Sequence, residues 1–251
     1  MAFPFAKSCV YDNGLRTPLI VKWSGYHASG IMVKDQLISS VDIMPSILDL
    51  LKLDMPEGPS YQGKSFLPLL EQGEWESRQY VFGNFDENSR GYPSPTRGVI
   101  SPKWNYIFNA WGTGNYTFKS ATMGHKTFKS MKRAGQNKEA IGQRITFLEK
   151  RTVEELYDLE SDPNCLHTLA EDKAYQDILD EMQSALRQHM VQTNDYLLEA
   201  FDVRDDKEKL NEFMEKEMSE AQIRSDQLKW KRGQNLSGPT KENTLLYEVK
   251  R

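Results

Sequence analysis

The run Thr17-Pro18-Leu19-Ile20-Val21-Lys22-Trp23 constrains the fold of this chain more than any other stretch. A proline opens it and a short apolar block follows, the pattern of a strand buried on both faces of a parallel sheet. Gly25 and Gly30 mark the loop after it. A helix is predicted from Asp42: the carboxylate can cap, Pro45 falls in the first turn, and Met44, Ile47, Leu48 and Leu51 recur at helical spacing. Strand, loop and helix in that order predict α/β construction. At 251 residues the chain is long enough to bury a core without staples.

After Glu71 the pattern changes. Short β-prone runs at Tyr80 to Phe85, Arg97 to Ile100, Trp104 to Phe108 and Glu155 to Leu159 are separated by Gly, Pro and Asn, which predicts a small antiparallel sheet. A helix beginning near Asp172 would set Tyr175, Ile178, Leu179, Met182, Leu186 and Met190 against it. Beyond Phe201 the chain is strongly charged, with a thin apolar stripe of Leu210, Phe213, Met214, Met218 and Leu228. A solvated helix to about Trp230 and a disordered tail both fit it. The expected organisation is 1–75 as the edge of an α/β domain, 76–200 as an α+β subdomain with a basic insertion at 119–151, and 201–251 as a charged helical or disordered tail.

Several function classes fall away. The net charge of −4 gives no global attraction to nucleic acid. No stretch approaches eighteen apolar residues, so no membrane span is predicted. Cys9 and Cys165 are too few for a thiolate zinc cage or a disulfide framework. His27, His125, His167 and His189 are scattered without metal-ligand spacing. Asn115-Tyr116-Thr117 and Asn235-Leu236-Ser237 meet the glycosylation rule, which matters only in a eukaryotic secretory setting.

Three blocks carry a resemblance. The first is Lys7 followed by Tyr11-Asp12-Asn13-Gly14-Leu15-Arg16-Thr17-Pro18-Leu19-Ile20-Val21-Lys22-Trp23. The second joins Val41-Asp42-Ile43-Met44-Pro45-Ser46-Ile47-Leu48 to Gly63-Lys64-Ser65-Phe66-Leu67-Pro68-Leu69. The third is Glu155-Leu156-Tyr157-Asp158-Leu159-Glu160-Ser161-Asp162-Pro163-Asn164. In that order they resemble the C-terminal part of the type I sulfatases of the alkaline-phosphatase superfamily, closest to the heparan N-sulfatase-like (N-sulfoglucosamine sulfohydrolase-like) members. The resemblance covers roughly residues 1 to 195. It implies the far edge of a large α/β sheet, then a small subdomain of a four-stranded antiparallel sheet and a long helix.

What the resemblance implies chemically is a formylglycine nucleophile in a Cys/Ser-x-Pro-x-Arg motif and a calcium ion that polarises the sulfate. Neither cysteine here precedes such a motif, and Pro93-Ser94-Pro95-Thr96-Arg97 puts a proline at the nucleophile position. Asp12-Asn13-Gly14 imitates a metal triplet but belongs by position to a downstream turn, and one turn cannot supply about six oxygen ligands. No cofactor is therefore expected in this chain, and calcium and formylglycine belong to the intact family member. Lys7 matches the family's sulfate-contacting cation, where it would neutralise charge as the bond breaks. The competing reading is a surface lysine near a frayed terminus. Arg16 is expected to pair with Asp12 or nearby carbonyls.

Residues 119–151 hold nine Lys or Arg against Glu139 and Glu149, a local +7 in a chain otherwise at −11. Lys126, Lys129, Lys132 and Arg133 lie near Trp111, Tyr116, Phe118 and Phe128 in sequence. They are the candidate contacts for an acidic glycan, cations holding sulfates while an aromatic ring lies on a sugar face; a solvated loop is the alternative.

The resemblance thus implies a sulfatase acting on a sulfate ester or N-sulfate of a heparan-sulfate-like glycan, with a sulfated glycan as partner. Periplasmic, extracellular or lysosomal placement is expected for the intact member. The present chain is expected to be a truncated, inactive and poorly soluble portion of it. Two other classes fit the same residues: a non-catalytic glycan-binding or partner-subunit protein, and a related phosphodiesterase or phosphonate hydrolase.

Overall fold

The computed structural model describes residues 7–23, 32–34, 36–58, 61–72 and 75–234. His27 and the Asn235 glycosylation triplet lie outside them. In chain order the helices are α1 (Asp12–Leu15), α2 (Ile43–Leu50), α3 (Leu67–Gln72), α4 (Lys126–Gly135), α5 (Glu139–Glu149), α6 (Gln176–Thr193), α7 (Leu198–Asp202) and α8 (Lys207–Gln234). The strands are β1 (Val81–Glu87), β2 (Pro93–Ile100), β3 (Trp104–Asn109) and β4 (Glu154–Asp158).

The four strands form an antiparallel meander in the order β1-β2-β3-β4. β2 begins four residues before the expected Arg97, although Pro93 and Pro95 cannot donate to a ladder. The prolines are tolerated because the β1–β2 register shifts between Phe85 and Glu87, a bulge opposite them.

One face of the sheet presents Val99, Tyr106, Phe108 and Leu156, which pack with Leu179, Met182, Leu186 and Met190 of α6 into the main core. The helical spacing of those α6 residues is the cause of that packing. Asp172 caps the helical turn leading into α6, accepting from the Ala174 amide at 2.9 Å. Within the described part of the C-terminal segment, α8 belongs to this body: Leu210 and Met214 are fully buried in the same core, and the Thr113 hydroxyl donates to Asn211 at 2.6 Å.

The opposite face is crossed by the N-terminal turn. Gly83 and Gly98 are register partners on neighbouring strands, and together they leave a trough. A Cβ at Gly98 would stand 3.0 Å from Val10, and one at Gly83 would stand 2.5 Å from Leu15. Val10 and Tyr11 are buried there with Cys9, Ile107, Tyr157 and Cys165.

The segment ahead of the sheet is held by Asp42. Its buried carboxylate accepts from the Ser39 amide (2.8 Å), the Lys64 amide (2.7 Å) and the Arg78 guanidinium in a forked pair. The Phe66 amide donates to Ser46 Oγ at 2.9 Å, so the two halves of the second resembling block are bonded to each other. Burial pushes the Asp42 carboxyl up, but Arg78 and the two amides outweigh it and hold the group below its ordinary value. Asp195, gripped by Arg97 at 2.6 and 2.9 Å, is lowered for the same reason. Because the folded values are depressed, this stabilisation is complete above the unfolded carboxyl value near 3.8 and disappears as pH falls through the lower folded values. The urea midpoint should therefore drop as pH is lowered from about 5 to about 3. Arg78→Met should flatten that dependence; an unchanged slope would show that the pair contributes nothing.

Two expectations need correction. The run Thr17 to Trp23 forms no strand: it has no ladder partner among the described residues, Leu19 and Val21 are 46% and 43% exposed, and Ile20 is 90% exposed. A run suited to burial on both faces needs a neighbouring strand on each side, and the described sheet begins only at Val81. The basic insertion is not a loop but a helical hairpin, α4 against α5, closed where Gly135 and Gly142 let the backbones approach; a Cβ at Gly142 would lie 3.0 Å from the Gly135 carbonyl oxygen.

Candidate functional site

Lys7, the cation that the sequence singles out, is exposed and stands four positions before Tyr11. Tyr11 itself belongs to a buried polar cluster that sequence reading did not find. Tyr11 and Tyr157 both donate their hydroxyls to Glu155 Oε2, at 2.6 and 2.7 Å, and Asn109 Nδ2 donates to Glu155 Oε1 at 2.7 Å. Glu155 has no exposed surface. The fully buried Arg151 guanidinium lies 4.6 Å from the Tyr11 ring centroid and 4.8 Å from that of Phe118. Burial, together with the Glu155 charge, pushes both tyrosine hydroxyls well up, so they remain donors across the physiological range. The first and third resembling blocks therefore meet at one carboxylate. Their only sequence signal was co-occurrence, since the two residues are 144 positions apart.

Downstream of this turn, Arg16 forks onto both Asp12 oxygens at 3.0 Å, as expected, and Asn13 donates to the Pro163 carbonyl at 3.3 Å. With Asp12 engaged by a cation and Asn13 presenting its nitrogen to another segment, the triplet does not fit a calcium ion. Among the described residues no group of three or more His, Cys, Asp or Glu is placed to hold a metal. Pro93 to Arg97 is a buried strand rather than a nucleophile loop, with Arg97 committed to Asp195 and, at 2.7 Å, to Asp86.

The two cysteines form no disulfide and are buried in the same cluster. Burial pushes the Cys165 thiol up to about 12 and raises that of Cys9. Neither is a nucleophile at neutral pH. The native chain should leave a thiol reagent such as Ellman's unconsumed at pH 8 and take up two equivalents in urea; prompt native reaction would contradict this burial.

The basic candidates sit on α4. Lys126, Lys129 and Arg133 are exposed at positions i, i+3 and i+7, which places them on one helix face. Lys132 is instead paired with Glu149 at 2.6 Å and lies 5.2 Å from the Phe128 ring centroid. Of the aromatic residues in that expectation, Trp111, Phe118 and Phe128 are buried in the main core and have no face to offer a sugar. Tyr116 is partly exposed and donates to the Asn211 carbonyl at 3.2 Å. His125 and His167 are exposed, and the half-buried His189 stacks on Phe82 at 3.8 Å.

Residues 3–118 match the family described as N-sulphoglucosamine sulphohydrolase, C-terminal. The chain is 28% identical over 204 residues to an ulvan-active sulfatase of Formosa agariphila, covering 77% of this chain and 36% of that one. It is also 28% identical over 101 residues to an N-acetylgalactosamine-6-O-sulfatase of Bacteroides thetaiotaomicron, covering 40% of this chain and 18% of that one. A solved structure of a 2-O GAG sulfatase superposes with a TM-score of 0.47 at 22% identity, covering 68% of this chain and 28% of that one. The chain thus spans about a third of the first of these relatives.

Proposed function

We infer the function from one premise: this chain carries the C-terminal region of a sulfatase of the alkaline-phosphatase-like superfamily, a family of hydrolases. The whole protein hydrolyses sulfate groups on a glycan, as a sulfate ester or an N-sulfate of a heparan-like chain. Formylglycine and calcium, which supply the attacking oxygen and polarise the sulfate, come from outside the described residues. The contribution of this region is to receive the substrate. Lys7 meets sulfate oxygens, and Lys126, Lys129 and Arg133 on α4 meet acidic groups farther along the glycan. An intact enzyme of this kind works where polysaccharides are met, outside the cytoplasm.

The observation that carries this reading is the placement of Lys7: it is exposed, yet its turn is clamped to the sheet by buried contacts at Val10 and Tyr11. A cation at a loose terminus would need no such clamp. Sulfate release from heparan and ulvan fragments by this chain alone should be nil, and real turnover would overturn the division of labour. Reversing the charge of Lys126, Lys129 and Arg133 should weaken retention on heparin at low salt by roughly tenfold in affinity. Lys132→Glu, which strikes a cation already paired with Glu149, should have a smaller effect. Equal retention by all variants would remove α4 from the reading.

A further inference from the structure

We propose that Glu155 is a positioning residue: through the Tyr11 hydroxyl it fixes the register of the turn that carries Lys7. The functional meaning of this rests on Lys7 as a sulfate contact; the anchoring itself stands on geometry.

Apolar burial alone cannot set that register. The trough over Gly98 and Gly83 receives Val10 and Leu15, but such contacts are non-directional and tolerate sliding. A hydroxyl-to-carboxylate bond at 2.6 Å is directional and, beneath a fully buried ring, strong. Glu155 is itself fixed from the strand side. Asn109 holds its other oxygen while also donating to the Thr152 carbonyl at 2.9 Å, and Tyr157 shares Oε2. Glu155 stands opposite Ile107 in the β3–β4 register, a site where an aliphatic residue would fill the core equally well. A carboxylate there specifies a partner rather than adding burial. Lys7 is four positions from Tyr11, so its Cα lies within about 14 Å of the pinned residue, and Ser8 takes a left-handed turn at φ 58° on the way.

Glu155→Ala would take an acceptor from three buried donors and confound anchoring with unfolding, so the test uses a matched pair in the full chain. Tyr11→Phe and Tyr157→Phe each remove one hydroxyl from the same carboxylate oxygen, but only the first removes the turn's own bond to Glu155. Trypsin needs the residues after Lys7 extended in its cleft, so cutting at Lys7–Ser8 requires Val10 and Tyr11 to lift off the sheet. Release of the Met1–Lys7 peptide, followed by mass spectrometry, should speed up roughly tenfold or more in Tyr11→Phe and less than about twofold in Tyr157→Phe. Equal rates in the two variants would overturn the proposal. The affinity of a heparin hexasaccharide for the wild type and for Lys7→Ala tests the other premise separately. A loss in Lys7→Ala that Tyr11→Phe reproduces supports both. If Lys7→Ala binds unchanged while Tyr11→Phe is cut faster, the anchor stands and the sulfate role of Lys7 falls.

Discussion

Glu155→Ala should cost the chain about 3–5 kcal/mol of folding stability, read as a large drop in urea midpoint. The size follows from what is left behind. The substitution removes one buried carboxylate and takes that acceptor from two buried tyrosine hydroxyls and one N–H of the buried Asn109 amide. A domain of this size holds about 5–15 kcal/mol in total, so the variant should sit near its unfolding threshold at 37 °C. Removing the donors as well should recover part of the loss, because a buried polar group is costly chiefly when its partner is missing. The variant Tyr11→Phe/Tyr157→Phe/Glu155→Leu should therefore be more stable than Glu155→Ala alone. If Glu155→Ala melts within 1 kcal/mol of the wild type, on the order of a surface substitution, the cluster is not what holds the N-terminal turn.

The sheet and α6 were legible in the sequence because their signals are local. β1, β3 and β4 lie within two residues of the runs that predicted them, and Ile178, Leu179, Met182, Leu186 and Met190 of α6 recur at one helical period. The hairpin was hidden because the basic insertion shows charge before it shows helical period, and its close crossing at Gly135 and Gly142 is set by backbone approach rather than by any side chain. The Glu155 cluster was illegible because nothing local distinguishes a buried glutamate from the many solvated ones. Its meaning lies in Tyr11, which only the fold brings near. The aromatic platform beside α4 failed for the converse reason. Proximity in sequence placed Trp111, Phe118 and Phe128 beside the cations, and the main core claimed all three.

Aspartate at Ile20, Ile47 and Leu51 together should leave the melting temperature of this chain nearly unchanged while sharply raising its solubility and cutting its binding of a hydrophobic dye severalfold. Fourteen of the nineteen large apolar side chains left exposed among the described residues lie between Leu15 and Tyr61, and these three are 90%, 48% and 58% exposed. A charge added at an exposed position costs about 0.5 kcal/mol or less, whereas one forced into a packed core costs several. The outcome therefore separates a finished surface from a missing interface. Exposed apolar side chains in this number, with Leu19, Ile20 and Val21 in no ladder among the described residues, invite aggregation when the chain stands alone. Under the proposed function these exposed side chains are expected to pack against a catalytic portion, which would also give the run Thr17 to Trp23 the strand neighbours it lacks among the described residues. The wild-type chain should then be aggregation-prone by itself. A triple variant that unfolds would mean that these side chains are packed in solution and that the region is complete without a partner.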